Sequence, residues 1–315
     1  MLKFESLKEI VNGKQYADYF IIPDDACEVD IASVSGYVDK CLDDGLKLRN
    51  RNVKAMQILD GGPTLKEYID KKLDLNIVPF LSGMINLLTV VVSFNNANCI
   101  HNNIRLESAV FDGAKVRLIN WKYWQQIIDG EYMGTVRALQ GFKFVSYYNQ
   151  PIAYAFLNEQ VRGIINPGWI FYKTTQSITE TLLDLVPKDN NLNDKTETTN
   201  IKQMGTLIDE VLEYEWNKKQ IYKIVDTFYN VTTQQFDWAR YVNLLRRNSD
   251  VYGMLSIITF YCFQNISTSD IHTSDIHTRM KPFLKKYMYD VDTFTTPYNT
   301  DEIINEFKEI INTTS

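Results

Sequence analysis

The stretch Cys99-Ile-His-Asn-Asn-Ile-Arg-Leu-Glu-Ser-Ala-Val-Phe-Asp-Gly-Ala-Lys-Val-Arg-Leu-Ile-Asn-Trp-Lys122 decides how this chain is read. In its second half, Val110-Phe111 and Val116-Arg117-Leu118-Ile119 flank Asp112-Gly113, a strong hairpin signal in any fold. Its first half is a polar loop that follows a run from Ile77 to Phe94 with Ile77, Phe80, Leu81, Met84, Ile85, Leu87, Leu88 and Val91. Apolar residues at most positions predict a helix buried on most sides. Further upstream, the segment from Lys54 alternates like a buried strand, breaks at Asp60-Gly61-Gly62-Pro63 and then turns helical. Thr64 is placed to cap that helix, with Glu67 as the reciprocal acceptor.

This order of elements and the loop itself resemble a protein kinase in which the catalytic residues have been replaced. Kinases carry His-Arg-Asp-Leu-Lys-x-x-Asn, a short hairpin and Asp-Phe-Gly, which hold substrate hydroxyl, phosphate and magnesium. His101 stands in the His place, Asn103 in that of the catalytic Asp, Arg105 in that of the Lys, and Ser108 in that of the metal-binding Asn. Asn120-Trp121-Lys122 replaces Asp-Phe-Gly, and Asn102 replaces the Arg that receives an activation-loop phosphate. Downstream, Asn248-Ser-Asp-Val-Tyr-Gly-Met resembles the start of kinase helix F, whose Asp, here Asp250, accepts hydrogen bonds from catalytic-loop backbone N–H groups. Asp250 reads equally as a helix N-cap, and the two roles are compatible. Ser146 to Leu157 is similar to the segment that replaces Ala-Pro-Glu in kinase-like proteins of large nucleocytoplasmic DNA viruses.

The resemblance implies an α+β fold: a reduced or rebuilt N-lobe over residues 1–55, then a mainly helical C-lobe over 56–315. A hinge falls at 56–63, with Met56, Gln57, Ile58 and Leu59 as nucleotide-contacting candidates, and a large helical insertion spans about 158–248. Residues 1–55 are the hardest to read; turns at Pro23-Asp24-Asp25 and Asp43-Asp44-Gly45 suggest a few strands and one helix. No G-x-G-x-x-G and no Val-Ala-Ile-Lys occurs, and neither Lys40 nor Lys54 stands out as a phosphate-pairing lysine. Residues 122 to 148 lack periodicity, as an activation segment would, and Val186 to Asn200 reads as a polar loop.

Composition narrows the alternatives. The chain has 315 residues, 45% of them apolar, and a net charge of -6 with both signs interspersed, so a nucleic-acid partner is not expected. Cys27, Cys41, Cys99 and Cys262 form no Cys-x-x-Cys pair, which argues against a disulfide framework and a zinc site. The beginning of the sequence has neither the pattern of a signal peptide nor that of an anchor, and the runs Ile85 to Phe94 and Met254 to Phe263 are short for a membrane span. An intracellular setting is therefore expected, host cytoplasm or virion on the viral resemblance, with the sequons at Asn230, Asn265 and Asn312 unused.

The remaining segments are read from spacing. Met204, Leu207, Ile208, Val211 and Leu212, continued by Ile221, Ile224, Val225 and Phe228, predict an amphipathic helix, and Phe236 to Leu245 predicts another. Thr268-Ser-Asp-Ile-His272 is repeated as Thr273-Ser-Asp-Ile-His277, read as a polar loop that records a sequence slip and not a metal site. Closing helices are expected at Phe283 to Tyr287 and Asp301 to Ile311, the latter capped by Asn299 or Thr300.

Chemically, an Asn amide offers magnesium an oxygen without charge, Ser108 is a weak ligand, and Asn103 cannot accept a proton from a hydroxyl at neutral pH. The expectation is a pseudokinase that has no cofactor, binds Mg-ATP weakly or not at all, and serves as a scaffold for a protein partner. Trp169, Trp216 and Trp238 in the insertion are the candidate contacts. Two other classes stay open: a divergent nucleotide-dependent transferase recruiting Asp112 or Glu107, and a helical structural, virion-associated protein.

Overall fold

The computed structural model describes residues 2–11, 15–23, 26–30, 52–56, 61–71, 73, 76–126, 153, 156, 159–165, 174–183, 213–264 and 271–312. The fold is α+β and mostly helical, and the strands among these residues form two-stranded antiparallel pairs. The expected hinge residues Gln57, Ile58 and Leu59, the activation-segment-like stretch beyond 126, the 186–200 loop and Trp169 lie outside the described residues.

The N-terminal part contributes helix α1 (Leu2–Val11), a 3-10 turn at Gln15–Asp18, and strands β1 (Ala26–Asp30) and β2 (Asn52–Met56), paired from Ala26–Met56 to Asp30–Asn52. Leu7, Val11, Tyr16 and Phe20 belong to the same buried cluster as the later helices. The chain at 19–21 also runs beside the hairpin: the Ile21 N–H donates to the Leu118 carbonyl (2.9 Å) and the Leu118 N–H to the Tyr19 carbonyl (2.8 Å).

Helix α2 (Leu65–Asp70) starts at the expected capping box, in which the Glu67 N–H donates to Thr64 Oγ1 (3.1 Å) and the Thr64 N–H to Glu67 Oε2 (2.9 Å). Gly62 just before it has φ +90, and a Cβ there would stand 2.8 Å from the Phe111 carbonyl, so this turn against the hairpin requires glycine. Helix α3 (Ile77–Asn96) begins at Asn76, whose side chain accepts from the Val78 N–H, and carries Pro79 in its first turn, where no intrahelical N–H bond is lost. It is long and apolar enough to cross a membrane, more so than the short run Ile85 to Phe94 suggested, yet 61% of its most apolar window is buried inside the protein. Burial as the central core helix answers for its composition.

Strand β3 (Cys99–Ile100) follows, then the hairpin of β4 (Ala109–Phe111) and β5 (Val116–Leu118), and β6 (Gln125–Gln126), which pairs back onto β3. Asp112 Oδ1 accepts the N–H groups of Ala114 and Lys115 and so closes the hairpin turn. Within the expected insertion lie α4 (Glu159–Ile165), α5 (Thr175–Leu183), α6 (Glu213–Phe228) and the short pair β7 (Tyr229–Asn230) and β8 (Gln235–Phe236). The amphipathic helix is thus described from Glu213, and the residues expected to begin it lie outside the described set.

Two expectations are corrected in the last third. Helix α7 (Trp238–Gln264) is continuous over 27 residues, so the two separate helices merge and Asp250 is an interior residue, not an N-cap. Asn-Ser-Asp imitates a cap, but Asn248 donates to the Thr293 and Thr296 carbonyls, and Ser249 Oγ bonds back to the Arg246 carbonyl, leaving the helical backbone intact. Helix α8 (Ile271–Met288) contains the whole second copy of the duplication, which is therefore helical and not a loop. Helix α9 (Thr300–Asn312) closes the chain; of the two candidate caps it uses Asn299, whose Oδ1 accepts the Glu302 N–H (3.3 Å). Helices α7 and α9 both pack on α3, which makes α3 the axis of the core.

Candidate functional site

The loop from His101 to Ser108 is held from below by Asp250. The His101 N–H donates to Asp250 Oδ2 at 2.7 Å and the Asn102 N–H to Oδ1 at 2.8 Å, while Asp250 is 1% exposed in the middle of α7. Two adjacent N–H groups can face one carboxylate because Asn102 takes a left-handed conformation, φ 61, which Asn tolerates better than most residues. The loop is then closed on itself by Ser108. Its Oγ accepts the Arg105 N–H (2.8 Å) and bonds to the Asn103 carbonyl (2.8 Å), and the residue is fully buried.

His101 ties the loop to the hairpin. Its Nε2 lies 2.9 Å from the Ile119 carbonyl, which can only accept, so Nε2 carries the proton, and the buried Nδ1 has no hydrogen-bond partner among the described residues. The ring meets Trp121 edge-on at 4.5 Å. Trp121, 1% exposed, packs on Phe20 (4.7 Å) and Phe94 (5.8 Å) and donates Nε1–H to the Ile21 carbonyl at 2.9 Å. One aromatic cluster therefore joins the N-terminal segment, the end of α3 and the loop.

Burial sets the electrostatics. Desolvation lowers His101 to about 4, against the raising effect of the Ile119 carbonyl, and keeps the ring neutral. Desolvation also raises Asp250 to about 6, and the N–H bonds from His101 and Asn102 only partly counter it.

Around this support the five positions singled out by the resemblance have different fates. His101 and Ser108 are consumed by structure, and Arg105 is half-buried with Nε 3.4 Å from Glu107 Oε2. Asn103 is 2% exposed, and neither its amide nitrogen nor its oxygen has a hydrogen-bond partner among the described residues. Asn120 is exposed at φ 65, in a left-handed turn that starts the 3-10 segment Trp121–Tyr123. None of the five supplies a carboxylate. The nearby candidates in sequence are already engaged: Glu107 by Arg105, and Asp112 by Arg117 Nη1 at 2.6 Å. Desolvation opposes ionisation of Asp112, but the N–H groups of Lys115 and Ala114 and the Arg117 guanidinium outweigh it and bring the carboxyl to about 2. Among the described residues no three His, Cys, Asp or Glu side chains cluster as a metal site would need.

Of the other expected contacts, Met56 ends β2, Trp216 falls on α6, and Trp238 is half-buried at the start of α7, against Phe236 at 4.3 Å and beneath the Arg162 guanidinium. Trp121 as the anchor of the loop was not legible, because its partners Phe20, Ile21 and Phe94 are scattered along the chain. Gly253 carries a clearer signal, a small residue one turn after Asp250. A Cβ there would stand 2.8 Å from the Ile104 carbonyl and 2.9 Å from Ile104 Cβ. Gly253→Ala should therefore destabilise the protein by about 1–2 kcal/mol despite the gain in helix propensity. Denaturant unfolding checks this, and an Ala variant as stable as the parent would mean that the loop yields freely.

No protein-family model matches this chain, and no curated protein matches its sequence.

Proposed function

We propose that this chain is a kinase-like scaffold without phosphotransferase activity, which works by binding a protein partner. The observation that carries the reading is the Asp250 carboxylate receiving the N–H groups of His101 and Asn102 across 149 and 148 residues of sequence. That is the task the resemblance assigns to this Asp, and it is a structural task that outlives catalysis. The chemical positions speak for inactivity: Asn103 is neutral and buried, Ser108 is spent on the loop backbone, and Asn120 has no charge to offer magnesium. Phosphoryl transfer leaves a protein little to do beyond positioning and neutralising charge, so losing all three roles removes most of the catalysis. The partner surface is assigned to the insertion, where Trp238 and its aromatic neighbours lie.

Incubation with labelled ATP, magnesium and generic acceptors should give no signal above a heat-inactivated control. A robust signal abolished by Asn120→Ala would overturn the reading in favour of the divergent transferase.

A further inference from the structure

A cavity of about 210 Å³ opens between the end of α3, the middle of α7 and the start of α9. Its lining includes Asn96, Asn98, Arg247, Asn248, Tyr298 and Thr300. The inner wall is built rather than accidental. Asn248, 1% exposed, donates to the Thr293 and Thr296 carbonyls (2.9 Å each) and accepts the Tyr298 N–H at 3.1 Å, which fixes the segment leading into α9 against α7. The outer wall is different: Asn96, Asn98 and Arg247 are exposed, and their side chains make no hydrogen bond or ion pair among the described residues.

Arg247 also belongs to a stripe. Arg240, Asn243 and Arg247 are all exposed and recur at a spacing of three and four, hence on one face of α7, with the arginines roughly 10 Å apart along the axis. The Arg240 guanidinium lies over the Phe228 ring at 5.2 Å, so its position is set by packing. Elsewhere on the described surface, Lys66, Lys71, Lys115, Arg117, Lys223 and Lys286 each stand within ion-pair distance of an Asp or Glu. Arg240 and Arg247 have no carboxylate within that distance among the described residues, a state they share with exposed Lys218, Lys219, Lys285 and Lys308; what sets them apart is that they share one helix face and that Arg247 lines the cavity.

We propose that this face of α7 docks an acidic segment of a partner protein, with one carboxylate entering the cavity to pair with Arg247 and a second pairing with Arg240. The guanidinium fork matches a carboxylate bidentately, and the amides of Asn96 and Asn98 can donate to that carboxylate or to the peptide carrying it. Two arginines one above the other do not make the continuous basic track that a nucleic-acid backbone needs, which favours an acidic peptide over an oligonucleotide. The proposal deepens the scaffold reading and rests on it by naming the chemistry of the partner. Its readout is peptide binding, so its failure is distinct from the appearance of phosphotransferase activity.

The test uses the full chain and a fluorescent oligo-glutamate peptide, followed by anisotropy at low and physiological ionic strength, with oligo-glutamine and a short single-stranded oligonucleotide as the other probes. Saturable, salt-weakened binding of the glutamate peptide is expected, with Arg247→Gln and Arg240→Gln each weakening it about tenfold. Lys218→Gln, the same charge change at an exposed residue of α6, is expected to leave it unaltered. Both arginines are exposed, so the variants should unfold as cooperatively as the parent. Absence of peptide binding, equal affinity in Arg247→Gln, or equal weakening by Lys218→Gln would overturn the proposal. Tighter, Arg247-dependent binding of the oligonucleotide would overturn the choice of a protein partner.

Discussion

Asp250→Ala is expected to destabilise the protein by about 3 kcal/mol at neutral pH, because the His101 and Asn102 N–H groups lose their acceptor in a place water does not reach. Asp250→Asn retains one acceptor oxygen and should cost less, about 1 kcal/mol. Denaturant unfolding measures both. If Asp250→Ala were as stable as the parent, the carboxylate could not be what holds the loop.

Asp250→Asn, together with His101→Gln, reports the pH dependence. Asp250 titrates near 6 when folded, above its ordinary 3.8, so the protonation-linked part of its contribution is full below about 4 and is lost as pH rises through 6, about 3 kcal/mol in all, while its role as acceptor of the two N–H groups persists at neutral pH. His101 runs the other way. Its folded value near 4 lies below 6.5, so its contribution is present above 6.5 and lost as pH falls through 4, again about 3 kcal/mol. In the parent these slopes oppose each other between pH 4 and 6. Substitution unmasks them: Asp250→Asn should compare worse with the parent at pH 4.5 than at pH 7, and His101→Gln should compare better. Identical pH profiles for parent and both variants would contradict the two shifts.

Trp121→Ala should have the largest effect of any substitution near the loop, about 4–5 kcal/mol. It empties a fully packed aromatic site and leaves the Ile21 carbonyl without its donor. Because Trp121 links the segment at 19–21 to the loop and to α3, the damage should spread beyond the cavity. Amide exchange at Ile21 and Leu118, whose N–H groups bond across that junction, should accelerate before global unfolding. Trp121→Phe keeps most of the ring contacts and should cost about 1–2 kcal/mol, and a cost as large as that of Ala would shift the emphasis from packing to the Nε1–H bond.

What could be read along the chain was whatever depends on near neighbours in sequence. The Thr64–Glu67 capping box, the Asp112-Gly113 hairpin and the apolar run that became α3 each arise from contacts within a few residues, so local pattern was enough to place them. The identity of the loop residues was also legible, including Asn103 and Asn120 at the places where the kinase resemblance expects carboxylates. That Asp250 belongs with this loop came from the family resemblance and not from periodicity, since a separation of nearly 150 residues leaves no periodic trace. Local reading failed where a local signal was overruled at a distance. Asn248-Ser249-Asp250 has the composition of a helix start, yet Asn248 spends its amide on the segment before α9, and the helix runs straight through. The tandem Thr-Ser-Asp-Ile-His units look like loop, but Ile276 and Met280 bury their side chains in the core, and the second copy lies within a helix that starts at Ile271. Only the tertiary structure decided which polar groups are buried: Ser108 turned into the loop backbone, Asn103 enclosed, and His101 neutral beside Trp121. The order of side chains fixes what chemistry is on offer, whereas burial and the partner across the fold fix each group's charge and reach, and these depend on residues far away in the chain.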